Sequence, residues 1–192
     1  MKKLFTVFFA LLLLNAQVCK AESPNSSTEW FKKGRIYLVS GNYQEAINAF
    51  NHVIKLNPKD ANAYGNRGAA YNNLGNYEQA ITDYDKSIAL NPNNAKVYDN
   101  RGAAYYNLHN FEQAITDFDK AIDLNSENAK VYLHRGIVNA RIGNYELAIA
   151  NMQRAARLGN QQAKNYLRMQ GIVLLQNEGK RSLGINDFTK RK

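Results

Sequence analysis

One spacing constrains this chain more than any other feature. Gly34, Gly68, Gly102 and Gly136 stand 34 residues apart. Aligned on them, Tyr43, Tyr77, Phe111 and Tyr145 share one column, and Ala46, Ala80, Ala114 and Ala148 a second. Ile47, Ile81, Ile115 and Ile149 form a third, and Leu56, Leu90, Leu124 and Leu158 a fourth. Agreement in so many columns at one period marks a repeat architecture, in which each copy is one supersecondary unit that buries its apolar face only by stacking on its neighbours. Four copies run without insertion over 27–60, 61–94, 95–128 and 129–162.

The punctuation of a copy gives its local structure. In the second, Tyr64, Gly68 and Tyr71 recur at helical spacing up to Leu74, where Gly75-Asn76 stops the helix. Glu78 suits the positive end of a second helix, whose apolar face is Ala80, Ile81, Tyr84, Ile88 and Leu90. Asn91-Pro92 ends it, because proline disfavours helix in the residue before it. Each unit is therefore predicted as helix–turn–helix. Gly68 and Ala80 lack bulk, so the paired helices can approach closely while Tyr71 and Tyr84 fill the space beside them. His109 takes the turn glycine's place in the third copy and is expected to strain or lengthen that turn.

The copies resemble tetratricopeptide repeats of an exported bacterial type. The pattern's first aromatic is met by Trp30, Tyr64, Tyr98 and Tyr132, and its tyrosine by Tyr37, Tyr71 and Tyr105. Phe50, Tyr84 and Phe118 supply the second aromatic, and Pro58 and Pro92 the proline. The fourth copy departs, with Asn139, Met152 and Asn160 at the tyrosine, aromatic and proline positions, as suits the end of an array. Ala163, Tyr166, Leu167 and Met169 predict a capping helix over 163–176. The resemblance implies an all-α fold, a right-handed α-solenoid of four helix-turn-helix repeats plus a C-terminal capping helix.

The ends carry different information. Met1-Lys2-Lys3, then a run from Leu4 to Leu14 that is apolar except for Thr6, then small residues up to Ala21, have the layout of a secretory signal peptide. The run is short of the about 20 apolar residues that span a bilayer. Cleavage is expected after Ala21, with Ala16 as a second site, leaving 22–26 as a short linker. Losing Lys2, Lys3 and Lys20 lowers the formal charge from +9 to +6. About half of that excess sits in the tail, 177–192, where basic Lys180, Arg181, Lys190, Arg191 and Lys192 outweigh Glu178 and Asp187. The tail is polar and expected to be disordered. With the body only mildly basic, nucleic acid is not an expected partner, although the Lys180–Lys192 tail could hold anionic lipid or nucleic acid by charge alone. Cys19 is the one cysteine, so no intrachain disulfide can form and packing alone must stabilise the fold. An alternative makes Cys19 the lipid acceptor of an envelope lipoprotein, but Val18 and Gln17 are not the small residues that signal favours. Membrane attachment is expected only through a retained signal or a lipidated Cys19. The location that follows is periplasmic or secreted.

No catalytic constellation emerges. There is no phosphate-binding glycine loop, no H-E-x-x-H and no G-x-S-x-G. His52, His109 and His134 fall at three different repeat positions, so no convergent metal ligands are expected. No cofactor and no enzyme activity are expected. Asp83, Asp85, Asp117 and Asp119 recur on second helices, as Arg67, Arg101 and Arg135 do beside the glycines, and are expected to pair on solvated helix faces. Asn151 stands where Asp83 and Asp117 do, which leaves Arg135 without that partner.

In tetratricopeptide arrays the first helices line a concave groove, and the resemblance implies that a peptide or partner protein lies there. The candidates are Phe31, Arg35 and Leu38 in the first copy, and Asn62, Asn66, Ala69 and Asn73 in the second. In the third they are Lys96, Asn100, Ala103 and Asn107, and in the fourth Lys130, His134, Ile137 and Arg141. Asparagine both donates and accepts, so a ladder of it can match the main chain of an extended peptide. Lys96, Lys130 and Arg141 would favour an acidic group, and Phe31 and Leu38 an apolar one. The family's two-carboxylate clamp for chaperone tails is incomplete. Asn66 and Lys96 match it, but Phe31, Arg35 and Asn100 replace its lysine, asparagine and arginine. The expected function is a non-enzymatic scaffold or adaptor.

Overall fold

A computed structural model describes residues 26–172. Every regular element among them is an α-helix. In chain order they are α1 (Ser27–Val39), α2 (Tyr43–Leu56), α3 (Ala61–Asn73), α4 (Tyr77–Leu90), α5 (Ala95–Asn107), α6 (Phe111–Leu124), α7 (Ala129–Arg141), α8 (Tyr145–Arg157) and α9 (Gln161–Met169). The fold is all-α, built of four helix-turn-helix pairs and a closing helix. The expected signal peptide 1–21 with Cys19, most of the linker and the tail 177–192 lie outside the described residues. No described helix is long and apolar enough to cross a membrane.

Local chemistry sets the helix ends. Ser26 and Glu29 close a capping box on α1, each side chain meeting the other's backbone N–H. Asp60 accepts from the Ala63 N–H at the start of α3. The turn between paired helices needs a left-handed residue, supplied by Gly41, Gly75 and Gly143 at φ of 78°, 79° and 84°. His109 takes the same conformation, φ 61°, so the third turn keeps its length and bears the strain. The second helices end by a device the sequence pattern only half revealed. Asn57, Asn91 and Asn125 each accept, at Oδ1, the backbone N–H two residues on. These asparagine turns leave the helix even where Ser126 stands in place of proline.

The helices fall into two compact units, 26–127 and 128–172. In the first, α1 packs on α2, α3 on α4 and α5 on α6, while α2 meets α3 and α4 meets α5, so each pair rests on the next. Its core centres on Phe50, Val53, Tyr84 and Phe118, all fully or almost fully buried. Burying each such side chain contributes about 1.5–3 kcal/mol. The repeat glycines allow the close approach: a Cβ on Gly68 would stand 2.8 Å from Tyr84 Cε1, and one on Gly102 2.8 Å from Phe118 Cε1. In the second unit α7 packs on α8 and α8 on α9, whose Ala163 and Leu167 are wholly buried. The closing helix, expected over 163–176, begins at Gln161 because Asn160 caps it through the Ala163 N–H. It stops at Met169, where left-handed Gly171 turns the chain and the Ile172 N–H returns to the Leu167 carbonyl.

The expected arginine–aspartate pairs form: Asp85 pairs with Arg101 on an exposed face, whereas Asp83 and Asp117 pair in the interior. Asp83 and Asp117 are 4% and 3% exposed. Arg67 donates from Nε and Nη2 to both carboxylate oxygens of Asp83, at 2.7 and 2.6 Å, and Arg101 does the same to Asp117, at 2.8 and 2.7 Å. Burial of that depth demands such a bidentate partner. Each arginine also reaches back one repeat with Nη1, Arg67 to Asn51 and Arg101 to Asp85. Each guanidinium lies over the tyrosine three residues before it, 5.5 Å from Tyr64 and 5.6 Å from Tyr98. These hydrogen bonds from Asp83 and Asp117 push both guanidinium pKa values above their ordinary value. Burial pushes the Asp117 carboxyl upward against the opposing pull of Arg101. Arg135, expected to lose its partner, donates from Nε to Asn151 Oδ1 at 2.9 Å, and the Asn151 amide in turn donates to the Leu147 carbonyl. An amide thus replaces the carboxylate without leaving its donor unmet.

Candidate functional site

The first helices of the first unit, α1, α3 and α5, lie side by side and line an open cavity of ≈ 340 Å³. Eight of the residues expected to bind a ligand line it: Phe31, Arg35 and Leu38 from α1, Asn62, Asn66 and Ala69 from α3, Lys96 and Asn100 from α5. Helical spacing makes this possible. Phe31, Arg35 and Leu38 recur at intervals of four and three and so share one face of α1, as Asn62, Asn66 and Ala69 do on α3. Asn73 and Asn107, farther along α3 and α5, are not among the lining residues. Lys130, His134 and Arg141 are all on α7, in the second unit.

Three lining residues were missed by sequence reasoning: Gly65, Asn94 and Val97. Gly65 and Val97 belong to the contact between α3 and α5, where a Cβ on Gly65 would stand 3.4 Å from Val97 Cγ2. Only the way the helices stack puts them at the cavity's floor. Asn94 precedes α5. Ser26, Asp60 and Asn128 cap α1, α3 and α7 through their side chains, whereas the Asn94 side chain makes no such bond. The signal for Asn94 lay in the sequence, since it opens a first helix six residues before Asn66's counterpart, Asn100.

The wall on α1 is rigid. Phe31 meets Phe50 edge to face, ring centres 5.7 Å apart, and Leu38 packs against the core of the first two repeats. Between them Arg35 is exposed. Across the cavity Lys96 is exposed too. Among the described residues no carboxylate lines the cavity and neither cation has an ion pair. The asparagine ladder differs from expectation in one respect. Asn66 and Asn73 each spend an amide N–H on the carbonyl four residues earlier in their own helix, at 2.8 and 2.7 Å. Asn66 therefore keeps its oxygen and one N–H for the cavity. The site can hold an anion beside apolar groups and can accept N–H donors. Among the described residues no three His, Cys, Asp or Glu side chains cluster as a metal site.

Models of the tetratricopeptide repeat match residues 61–94 and 95–128, and a related repeat model matches 34–75. Among curated proteins there is no match. Solved structures are similar. A crystal structure of MamA shares 26% identity over 78% of this chain and 86% of its own, with a TM-score of 0.67. MamA 41-end from Desulfovibrio magneticus RS-1 shares 28% identity over 72% of this chain and 78% of its own, TM-score 0.66. The first TPR of Spaghetti (RPAP3), bound to the HSP90 peptide SRMEEVD, shares 26% identity over 62% of this chain and 95% of its own, TM-score 0.60.

Proposed function

We propose, from the premise that the chain carries tetratricopeptide repeats, that it is a non-enzymatic scaffold whose first unit holds an extended segment of a partner protein between α1, α3 and α5. The observation that carries this reading is the cavity itself. It gathers eight candidate side chains from three helices, and its cations have no counter-ion among the described residues. A similar repeat domain was solved with a peptide bound, which supports the choice of ligand class. The clamp of that ligand class is incomplete here, so a chaperone tail is not the proposed partner. The N-terminal pattern of Lys2, Lys3 and the apolar run supports export to the periplasm or beyond the cell.

Affinity capture from the envelope fraction tests both parts. The protein would be compared with an Asn66→Ala, Lys96→Ala, Asn100→Ala variant whose helical circular dichroism is unchanged. A partner captured by the first and lost by the second supports the groove. A partner retained by both overturns it. Mass spectrometry of the envelope-derived protein should show an N-terminus at Glu22. An acylated N-terminus at Cys19 would establish the lipoprotein alternative, and an intact Met1 would overturn cleavage and favour a retained signal.

A further inference from the structure

The cavity's chemistry specifies more than a generic peptide. We propose that it reads an internal acidic side chain flanked, two residues away on either side, by apolar side chains in an extended segment. This rests on the groove reading above and adds the sequence character of the ligand.

The spacing comes from α1. Phe31, Arg35 and Leu38 follow one another on a single face, about 6 Å and 4.5 Å apart along the axis at 1.5 Å per residue. An extended chain returns to the same side every second residue, roughly every 6.6 Å. A strand laid along α1 matches the first interval closely and the second to about 2 Å, within the reach of a leucine side chain, so consecutive same-side groups meet an apolar, a cationic and an apolar contact. Phe31 and Leu38 are held in place by the core, so their positions do not adapt, and the ligand must supply the match. The charge is equally directional. Arg35 and Lys96 border the same cavity from different helices, no carboxylate lines it, and neither has an ion pair among the described residues. A carboxylate there gains charge-assisted hydrogen bonds that a carboxamide does not. The open oxygen of Asn66 accepts a main-chain N–H beside it. Because an apolar contact stands on each side of Arg35, the ligand chain must continue past its acid in both directions. A terminal carboxylate would leave one of the two contacts empty.

The test uses the full-chain protein and three labelled probes at low salt, read by fluorescence anisotropy. The first is an N-acetylated, C-amidated nonapeptide with a central Leu-Ser-Glu-Ser-Leu and serine flanks. The second replaces its glutamate by glutamine. The third stops at the glutamate with a free carboxylate. The first should bind at least about tenfold more tightly than the second, and the third should bind more weakly than the first. Arg35→Gln should abolish the glutamate preference, while Lys120→Gln, an exposed cation on α6, should leave it intact. Equal binding of the glutamate and glutamine peptides, or no binding of either at millimolar concentration, overturns the proposal. A third peptide as tight as the first overturns the internal placement. A partner lost from the triple-alanine variant alongside these failures would leave the groove reading standing. A partner retained there would remove both.

Discussion

Replacing Gly102 by alanine opposes two effects of known size. Alanine is favoured over glycine inside a helix by about 0.8–1.0 kcal/mol. Against that, the new Cβ would lie 2.8 Å from Phe118 Cε1, 3.0 Å from Cδ1 and 3.1 Å from the Ala114 carbonyl oxygen. The ring is 1% exposed and has nowhere to swing, and the oxygen is backbone. Relief requires α5 and α6 to separate. Overpacking of this kind costs about 1–3 kcal/mol, so the net effect is a loss of about 1 kcal/mol at mid-range and at most about 2 kcal/mol. Gly136→Ala is the control. There the nearest atom is the flexible Met152 methyl at 3.1 Å, with Asn151 Cβ at 3.2 Å and the Ala148 oxygen at 3.3 Å. The methyl can move, while the tight contacts with Asn151 Cβ and the Ala148 oxygen offset the propensity gain, so the change is about neutral. Thermal unfolding followed by circular dichroism should drop by about 2–8 °C for Gly102→Ala and hardly move for Gly136→Ala. A Gly102→Ala protein as stable as its parent, or equal losses in both variants, would refute the packing argument.

Two further substitutions probe buried polar groups. Arg101→Met leaves the Asp117 carboxylate buried and uncompensated and should cost about 3–5 kcal/mol in urea denaturation, with the double variant Arg101→Met, Asp117→Leu recovering most of it. Asn72 Oδ1 is buried and has no hydrogen-bond partner among the described residues. Since Leu38 holds the same repeat position in the first copy, Asn72→Leu should stabilise by about 1 kcal/mol, measured by the urea midpoint.

The fold was legible because the repeat is redundant: four copies state each helix boundary, and one column of glycines states which helices must touch. The candidate site was legible in outline for the same reason, since helical spacing alone puts Phe31 beside Arg35 and Asn62 beside Asn66. What could not be read was the destination of each polar atom. That Asn66 donates one N–H to its own helix, leaving its oxygen and a single donor for a ligand, depends on a rotamer. That Asp83 and Asp117 lie buried depends on how second helices rest against the arginine-bearing first helices. Gly65 and Val97 reach the cavity only through the stacking of α3 on α5, a relation between repeats that no single copy encodes. The second-helix termini were attributed to proline, yet the asparagine turns do the work in the copy that lacks it.

The arginines make a copying rule of the array. Each of Arg67 and Arg101 grips one residue 16 positions ahead and another 16 positions behind. Inserting a single residue inside a helix between an arginine and its partner rotates one of them off the shared face and strands a buried carboxylate or its donor. Duplicating or deleting a whole 34-residue unit preserves every such interval. The array can therefore gain or lose complete units with these grips kept.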